Sequence, residues 1–445
     1  MSRYVYFIGI GGIGMSALAR YFNRTGSKVA GYDRTETLLT RQLVQEGIEV
    51  IYEDHFGLVP DGFKTAEALL IYTPAVPEDL ALLHGFRELG LTLHKRSEVL
   101  GLLSQGKYTI AVAGTHGKTT TSSMVAHILT DSGMGCSAFL GGIASNYNTN
   151  TLFGDNELLV VEADEYDRSF LTLHPDIAIV TSADADHLDI YGNHEQLQES
   201  FREFLAQTHD GGLRIVHDGL PFDADLYYSG EEKGQVYAEN IRIDGGYFWF
   251  DYFSAATTIK DICLGLPGKH NVSNAVAAIT AALHLKVPEG KIKAALANFV
   301  GVKRRFEYIV RGEAHIYIDD YAHHPTELKA FLGAVRELYP DRKLTVVFQP
   351  HLFTRTRDFM EGFAEALANS DTLILMEIYP AREMPIPGID SSALFAQIAT
   401  RDKHLLDSQG VLEFVAEHRP ELLVTVGAGN IDQLVSPLKE VLNNG

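Results

Sequence analysis

Cysteine is almost missing from this chain. Only Cys136 and Cys263 occur, far apart in sequence, which excludes a disulfide framework and any cysteine-based zinc site. No apolar run approaches the roughly 20 residues that a membrane-spanning helix needs, and the N-terminus passes directly into a short apolar stretch and glycines rather than a signal peptide. A reducing cytoplasm is the expected compartment. Basic residues are scarce relative to acids: 37 Lys and Arg stand against 58 Asp and Glu, a net charge of −21. That disfavours a general nucleic-acid binder or an anionic-membrane binder, and any phosphate site must be built locally. Low-complexity tracts and short tandem repeats are absent. What remains is the balance of an ordinary globular protein, 46 % apolar and 21 % charged, over 445 residues. That length exceeds one hydrophobic core and predicts about three domains.

The most informative stretch is Ala113-Gly114-Thr115-His116-Gly117-Lys118-Thr119-Thr120-Thr121. The β-branched, apolar run Thr109 to Ala113 leads into it as a buried strand would. Behind it Met124, Val125, Ile128 and Leu129 recur at helical spacing, and Gly133 is a natural stop. Strand, glycine turn, Gly-Lys-Thr and helix together make a phosphate cradle. Backbone N–H groups and the helix N-terminus face the anion, Lys118 adds a point charge, and the Thr119 hydroxyl can ligate Mg²⁺. The usual pattern has another glycine where Val112 stands, so this loop is a shortened variant.

Upstream, Tyr4 to Ile8 reads as a buried strand, followed by Gly9-Ile10-Gly11-Gly12-Ile13-Gly14 and a helical run from Met15 to Phe22. This is G-x-G-x-x-G in the right context. Val29 to Asp33 supplies a second strand ending in an acid, 19 residues after Gly14, about where a ribose-binding carboxylate sits. Alone, the region suggests an NAD enzyme. Its physics specifies only a diphosphate on a helix N-terminus, which a UDP group satisfies equally. A further strand, Ala68 to Tyr72, ends in a turn at Thr73-Pro74-Ala75 placed to line the same crevice, and Ser97 to Lys107 closes this first unit.

Downstream of the P-loop, Gly141-Gly142 and Asn146 to Asn150 form a polar loop, either substrate-holding or merely connecting. The strand Leu158 to Val161 ends in Glu162-Ala163-Asp164-Glu165, acids of the kind that hold a P-loop's Mg²⁺. The strand Ile177 to Val180 leads to Asp184, Asp186, His187 and Asp189, a strand-end constellation suited to metal or phosphate. From about Leu213 to Leu266 the pattern alternates, with turn signals at Asp218-Gly219 and Asp244-Gly245-Gly246, and reads as β-hairpins packed on the core. The aromatics Tyr247 to Phe250 are expected to pack there. Then Gly268 opens an Ala-rich helix. Its Asn271 and Asn274 share a face and can reach a nucleobase, or serve as cap and solvent-facing residues.

The last unit begins near Gly301. Lys303-Arg304-Arg305 is basic in an acidic chain and suits phosphate contact. A strand at Ile316 to Ile318 ends in Asp319-Asp320-Tyr321-Ala322-His323-His324-Pro325. Further β/α steps at Leu344–Phe348, Thr372–Met376 and Leu422–Val426 predict a second open, mostly parallel sheet of dinucleotide type. Gln349-Pro350-His351 and the nearby Arg355 and Arg357 lie at a strand end, where such sheets bind ligands. The two arginines can hold a carboxylate.

Two phosphate cradles on one chain narrow the chemistry. An NAD enzyme has no use for a P-loop with Mg²⁺ acids, and a simple ATPase none for a dinucleotide-type domain. Joining a carboxylate to an amine needs the carboxylate oxygen to become a leaving group, and transfer of the ATP γ-phosphoryl does that. In this order, Gly11 to Ser16, Gly114 to Thr120, Glu162 to Glu165, Asp186 to Asp189, His270-Asn271 with Asn274, Asp320 to Pro325, and Gln349-Pro350-His351 resemble the Mur ligase family. The resemblance runs from residue 4 to about 430.

That resemblance implies an α/β fold of three domains. They are an N-terminal Rossmann-like UDP-binding domain over 1–106, a central P-loop ATPase-type α/β domain with a β-rich insertion over 107–301, and a C-terminal Rossmann-like domain over 302–445 that binds the amino acid and closes on ATP. It implies ATP-dependent ligation of L-alanine to the carboxylate of UDP-N-acetylmuramate through an acyl phosphate, with ATP and two Mg²⁺ ions. Gly11, Gly12, Ile13, Gly14, Met15 and Ser16 would bind the UDP diphosphate, with Asp33, Thr73 and Ala75 nearby. Gly114, Thr115, His116, Gly117, Lys118, Thr119 and Thr120 would cradle ATP. Thr119 and Glu162 would ligate one Mg²⁺ and His187 the second. His270, Asn271 and Asn274 would read adenine, Asp320 the ribose, and Arg305 (or Arg304) the phosphates. His351 and Arg355 would orient the amino acid. Where the family pattern reads Gln-Pro-His-Arg-Tyr, this chain has Leu352 and Phe353, one basic residue fewer, and Asn430 stands where aspartate is expected. The nearest alternative is a recycling ligase that attaches a murein tripeptide to the same sugar nucleotide. From other classes come an NAD-dependent oxidoreductase, resting on Gly9–Gly14 and Asp33 alone, and a nucleotide-sensing binding protein. No nucleic-acid or membrane partner is expected, and the sequence carries no signal of oligomeric state.

Overall fold

The computed structural model describes residues 3–184, 191, 193–381 and 383–443. Three sheets carry the described residues. The first contains β1 (Tyr4–Ile8), β2 (Lys28–Tyr32), β3 (Glu49–Ile51), β4 (Ala68–Tyr72) and β5 (Leu93–Lys95), in the order β3-β2-β1-β4-β5. All its pairings are parallel. The near-continuous apolar run of β1 follows from burial on both faces of a parallel sheet. The strand order reverses between β1 and β4, the place where such sheets open a crevice at their carboxyl ends. There the two expected turns meet: a Cβ on Gly9 would stand 2.6 Å from Thr73 Cγ2.

The second sheet has ten strands in the order β15-β14-β13-β12-β11-β10-β6-β9-β7-β8. They are β6 (Tyr108–Ala113), β7 (Ser137–Ala144), β8 (Thr149–Leu152), β9 (Leu158–Glu162), β10 (Ile177–Val180), β11 (Leu213–His217), β12 (Leu226–Ser229), β13 (Val236–Asp244), β14 (Tyr247–Ser254) and β15 (Thr258–Leu264). The stretch from Leu213 differs in part from the expected hairpins. Strands β11, β12 and the start of β13 run parallel to β10 and extend its sheet. Alternating hydrophobicity reports that one face is buried; it carries no information about a neighbour's direction. The turn at Gly245-Gly246 does have the hairpin form, with φ of +58° and +79°, as a two-residue type I′ loop requires. Phe248 and Phe250 are fully buried, so these aromatics are core.

The third sheet contains β16 (Glu307–Arg311), β17 (Ile316–Asp320), β18 (Leu344–Phe348), β19 (Thr372–Leu375), β20 (Asp402–Leu405) and β21 (Leu422–Val426), ordered β16-β17-β21-β18-β19-β20. Only β16 is antiparallel. The helix Pro325–Leu338 starts at a His324 cap with proline at its first position, where the missing N–H costs nothing.

The chain forms two compact units. One comprises Met1–Glu239, Tyr252–Lys260 and Ser273–Phe299, and the other Asn240–Asp251, Asp261–Val272 and Val300–Gly445. Among the described residues, no helix is long and apolar enough to cross a membrane.

Candidate active site

Strand β6 ends at Ala113, and the loop after it turns into the helix Lys118–Asp131. Two positive φ values make the turn, +137° at Gly114 and +81° at Gly117, a conformation that glycine alone adopts without cost. The end of β10 pins the loop in place. The Thr115 N–H donates to the Ser182 carbonyl (3.2 Å), the His116 N–H to Ser182 Oγ (2.6 Å), and Asp184 N–H to Thr115 Oγ1 (3.0 Å). Gly114, Thr115, His116, Gly117, Lys118, Thr119 and Thr120 thus form one rigid cradle at a helix N-terminus. Lys118 Nζ donates to the Gly114 carbonyl at 2.6 Å and lies 2.7 Å from Glu165, whose carboxylate is fully buried. Burial alone would lower the Lys118 pKa, but Glu165, Asp164 and Glu162 outweigh it and raise it above its ordinary value.

Glu162, at the end of β9, accepts from the Thr119 hydroxyl (3.0 Å) on one oxygen and from the Gly141 N–H (2.8 Å) on the other. Burial pushes its carboxyl pKa up, against the opposing pull of Lys118 and Thr119. Gly141 belongs to β7 rather than to a loop, and any side chain there would collide with this carboxylate. Two of the three expected metal ligands therefore meet, and both offer oxygen, the donor a hard divalent cation such as Mg²⁺ prefers. The third, His187, lies outside the described residues, as do Asp186 and Asp189. Among the described residues, no group of three or more His, Cys, Asp or Glu is disposed to hold a metal.

A cavity of about 340 Å³ joins this centre to the first sheet. Gly12, Ile13, Gly14 and Met15 line it on one side, Thr73 and Ala75 on a second, and Glu162 with Asp164 on a third. Gly11, Ser16 and Asp33 stand behind that wall. The Gly11 N–H donates to Asp33 Oδ2 at 2.8 Å, and the buried Ser16 hydroxyl donates to the Ile13 carbonyl at 2.9 Å. Asn150 ties the glycine turn to the second sheet: its side-chain amide donates to the Ile13 carbonyl and accepts from Arg20 Nη1 at 2.9 Å. Arg20 in turn grips Glu46 with two nitrogens, each at 2.8 Å. Neither Arg20 nor Arg96, which also lines the cavity, stands in a phosphate-binding pattern. Glu165 was visible as one of several acids, but its pairing with Lys118 was not.

Asn271 and Asn274 are both buried on one helix but serve different neighbours. The Asn271 amide donates to the Pro267 carbonyl, whereas Asn274 Oδ1 lies 2.8 Å from where a Cβ on Gly117 would be. His270 is exposed, its ring against Gly268.

In the third sheet, Asp320 ends β17 in a buried position, accepting from the Phe306 N–H (2.7 Å) and the Ala322 N–H (2.8 Å). Burial raises its pKa to about 7, against the lowering effect of Arg305. Arg304 is committed to the fold: its Nε lies 3.1 Å from buried Asp319 and its Nη2 donates to the Gly427 carbonyl at 2.6 Å. Arg305 lies 3.6 Å from Glu327 and over the ring of Tyr321. Both arginines thus have partners within the fold. His351 stacks on Tyr379, with ring centroids 5.7 Å apart, and approaches Arg355 Nη1 at 3.5 Å. Burial, reinforced by Arg355, pushes the His351 pKa down to about 4. Gln349 donates to Asn430 Oδ1 at 2.8 Å and accepts from the Ile431 N–H at 2.9 Å. Asn430 thereby supplies an acceptor that aspartate would supply equally. Sequence pattern offered no sign of Tyr379.

A dinucleotide-type turn lining one cavity with Glu162, the acid bonded to the P-loop helix at Thr119, followed by a second dinucleotide-type sheet, defines a class: α/β enzymes that handle two phosphate-bearing ligands. The comparisons give the family. Residues 4–108 match the model described as "Mur ligase family, catalytic domain", 112–282 "Mur ligase middle domain", and 304–429 "Mur ligase, glutamate ligase domain". A UDP-N-acetylmuramate–L-alanine ligase of Flavobacterium johnsoniae is 47 % identical over 439 residues, covering 99 % of this chain and 98 % of the relative. One from Cytophaga hutchinsonii is 49 % identical over 446 residues, with 98 % and 96 % covered. The crystal structure of the Thermotoga maritima UDP-N-acetylmuramate–alanine ligase superposes with a TM-score of 0.86 at 28 % identity, over 99 % of both chains. A murein peptide ligase from Psychrobacter arcticus shares the fold at a TM-score of 0.72 and 24 % identity, over 100 % of this chain and 99 % of that one. This chain belongs to the Mur ligase family, and its three-domain α/β fold and its use of ATP follow from that membership.

Proposed function

We propose that this protein joins L-alanine to the carboxylate of UDP-N-acetylmuramate at the expense of ATP, a step of peptidoglycan precursor synthesis. The carboxylate oxygen attacks the γ-phosphorus and ADP leaves. The alanine amine then attacks the carbonyl carbon of the acyl phosphate, phosphate departs, and the nitrogen gives up a proton. The observation that carries this reading is the shared cavity, in which the Gly12–Met15 and Thr73–Ala75 turns face Glu162. A sugar nucleotide seated on those turns directs its far end toward the acid bonded to the P-loop helix at Thr119. The names of relatives 47 % and 49 % identical across nearly the whole chain support the same substrates.

In this reading the domains are 1–106 for the sugar nucleotide, 107–301 for ATP and 302–445 for the amino acid. Lys118 neutralises the β- and γ-phosphates, and Arg305 adds charge to the transferring group. Thr119 and Glu162 would hold one Mg²⁺, and His187, by resemblance alone, would hold a second; such ions would supply neutralisation of phosphate charge. Asn271, Asn274 and His270 serve adenine, Asp320 the ribose, and His351 with Arg355 the alanine carboxylate. The compartment proposed is the cytoplasm, where the nucleotide substrates are found.

Incubating the protein with Mg²⁺, ATP and UDP-N-acetylmuramate, and with each amino acid or a murein tripeptide in turn, tests the proposal. ADP release is expected only when the sugar nucleotide and L-alanine are both present. Release that depends on the tripeptide instead would replace it with the recycling reaction, and none under any combination would sink both.

A further inference from the structure

We infer that Arg96 is the side-chain half of the diphosphate cradle, its guanidinium gripping the diphosphate of the sugar nucleotide across the Gly12–Met15 turn. The inference rests on the sugar-nucleotide reading above and names a residue which that reading leaves out.

Arg96 follows β5 directly and opens the helix Arg96–Ser104, so it stands at the carboxyl end of the first sheet, on the same rim as both phosphate-side turns. It lines the cavity together with Gly12, Gly14 and Thr73. Its position against Gly14 is close: Nη1, Cδ and Cζ lie 2.9, 3.2 and 3.2 Å from the point where a Cβ on Gly14 would be. The guanidinium therefore covers the first turn of the helix Ile13–Arg24. A cation beside a helix N-terminus is electrostatically unfavourable until an anion joins them. The ion pair Arg96 makes among the described residues is long, 3.8 Å to Asp164 Oδ2, with side-chain exposures of 23 % and 44 %. Solvent thus screens that pair, and it satisfies the arginine weakly. A diphosphate supplies the charge that both groups need, and the planar fork of arginine matches two phosphate oxygens at once.

The same geometry explains the third glycine of the motif. In dinucleotide-binding folds that glycine permits close packing of helix on strand. Here the space beside Gly14 is filled by Arg96. A methyl group at position 14 would push the guanidinium off the turn.

Titration calorimetry on the full chain, as wild type, Arg96→Ala, Arg96→Lys and Gly14→Ala, tests this with UDP, UDP-N-acetylmuramate and ATP. The expected result for Arg96→Ala is UDP and UDP-N-acetylmuramate affinity weaker by the same factor, about 10- to 100-fold, with ATP affinity unchanged. Lysine should recover part of the loss, and Gly14→Ala should reproduce much of it while the arginine is still present. UDP binding that is unchanged while UDP-N-acetylmuramate weakens would assign Arg96 to the sugar's carboxylate and overturn the inference. Equal losses for ATP and UDP would make the residue structural and overturn it as well. A wild-type protein that binds neither uridine nucleotide would instead refute the sugar-nucleotide reading itself.

Discussion

At the scale of single residues, charge burial governs the P-loop. Lys118 and Glu165 form a pair 2.7 Å apart with side-chain exposures of 14 % and 0 %. Removing one charge from such a pair strands the other, which typically costs about 3–5 kcal/mol. Glu165→Gln keeps a hydrogen-bonding oxygen, so a loss of about 2–4 kcal/mol in urea unfolding is expected. The double variant with Lys118→Met should lose less than the sum of the singles, and strict additivity would show that the pair is not coupled. Titration gives a second test. Burial holds His323 and His351 near 4, whereas an unfolded histidine titrates near about 6.5. The unfolded chain therefore binds more protons between those values, and stability at these two sites is full above about 6.5 and falls as pH drops toward 4. Asp320, raised to about 7 from 3.8, binds its proton in the folded chain and works in the opposite sense. In His351→Gln, the slope of unfolding free energy against pH near 5.5 should become less positive by about 1.2 kcal/mol per pH unit. An unaltered slope would mean that the ring titrates normally.

At the scale of elements, the strand–turn–helix units were legible because each is a contiguous piece of chain. The apolar run of β6, the glycines at 114 and 117 and the helix behind them need no distant partner to be recognised. Short edge strands were not legible. Strands β3 and β5 have three residues each and β20 has four, none of them fully buried, so hydrophobic alternation has little length in which to appear. The parallel strands β11 to the start of β13 differ from the expected hairpins because alternation reports a buried face and not a neighbour's direction. The helix Ile13–Arg24 shows what local pattern leaves out, since Asn150 on β8 holds both its first carbonyl and Arg20. Asn150→Ala would leave a buried guanidinium nitrogen and a carbonyl short of a partner, at about 1–3 kcal/mol. A thermal melt should show that loss. UDP affinity should fall with it, because the glycine turn is no longer held; a stable variant with unchanged UDP binding would make the contact incidental.

At the scale of the whole molecule, two compact units predict that heating does not produce a single all-or-none transition. The calorimetric enthalpy should exceed the van't Hoff value. The cavity proposed for the sugar nucleotide lies entirely within the first unit. Saturating UDP, at about 100 times its Kd, adds about 2.7 kcal/mol to whatever binds it. It should therefore raise one transition temperature and leave the other in place. A uniform shift of both would contradict that assignment. From the sequence alone came the first and third sheets, the two glycine turns at helix N-termini and the family, because backbone N–H groups at a helix N-terminus are arranged by neighbouring residues. Only the tertiary structure decided which side chains stand against one another around those turns and strand ends. Glu165 against Lys118, Arg96 over Gly14, Asn150 behind Ile13 and Tyr379 on His351 pair residues from separate segments of the chain. No local spacing encodes such pairs; they arise where packing brings separate elements to a common rim and burial gives each polar group a partner there.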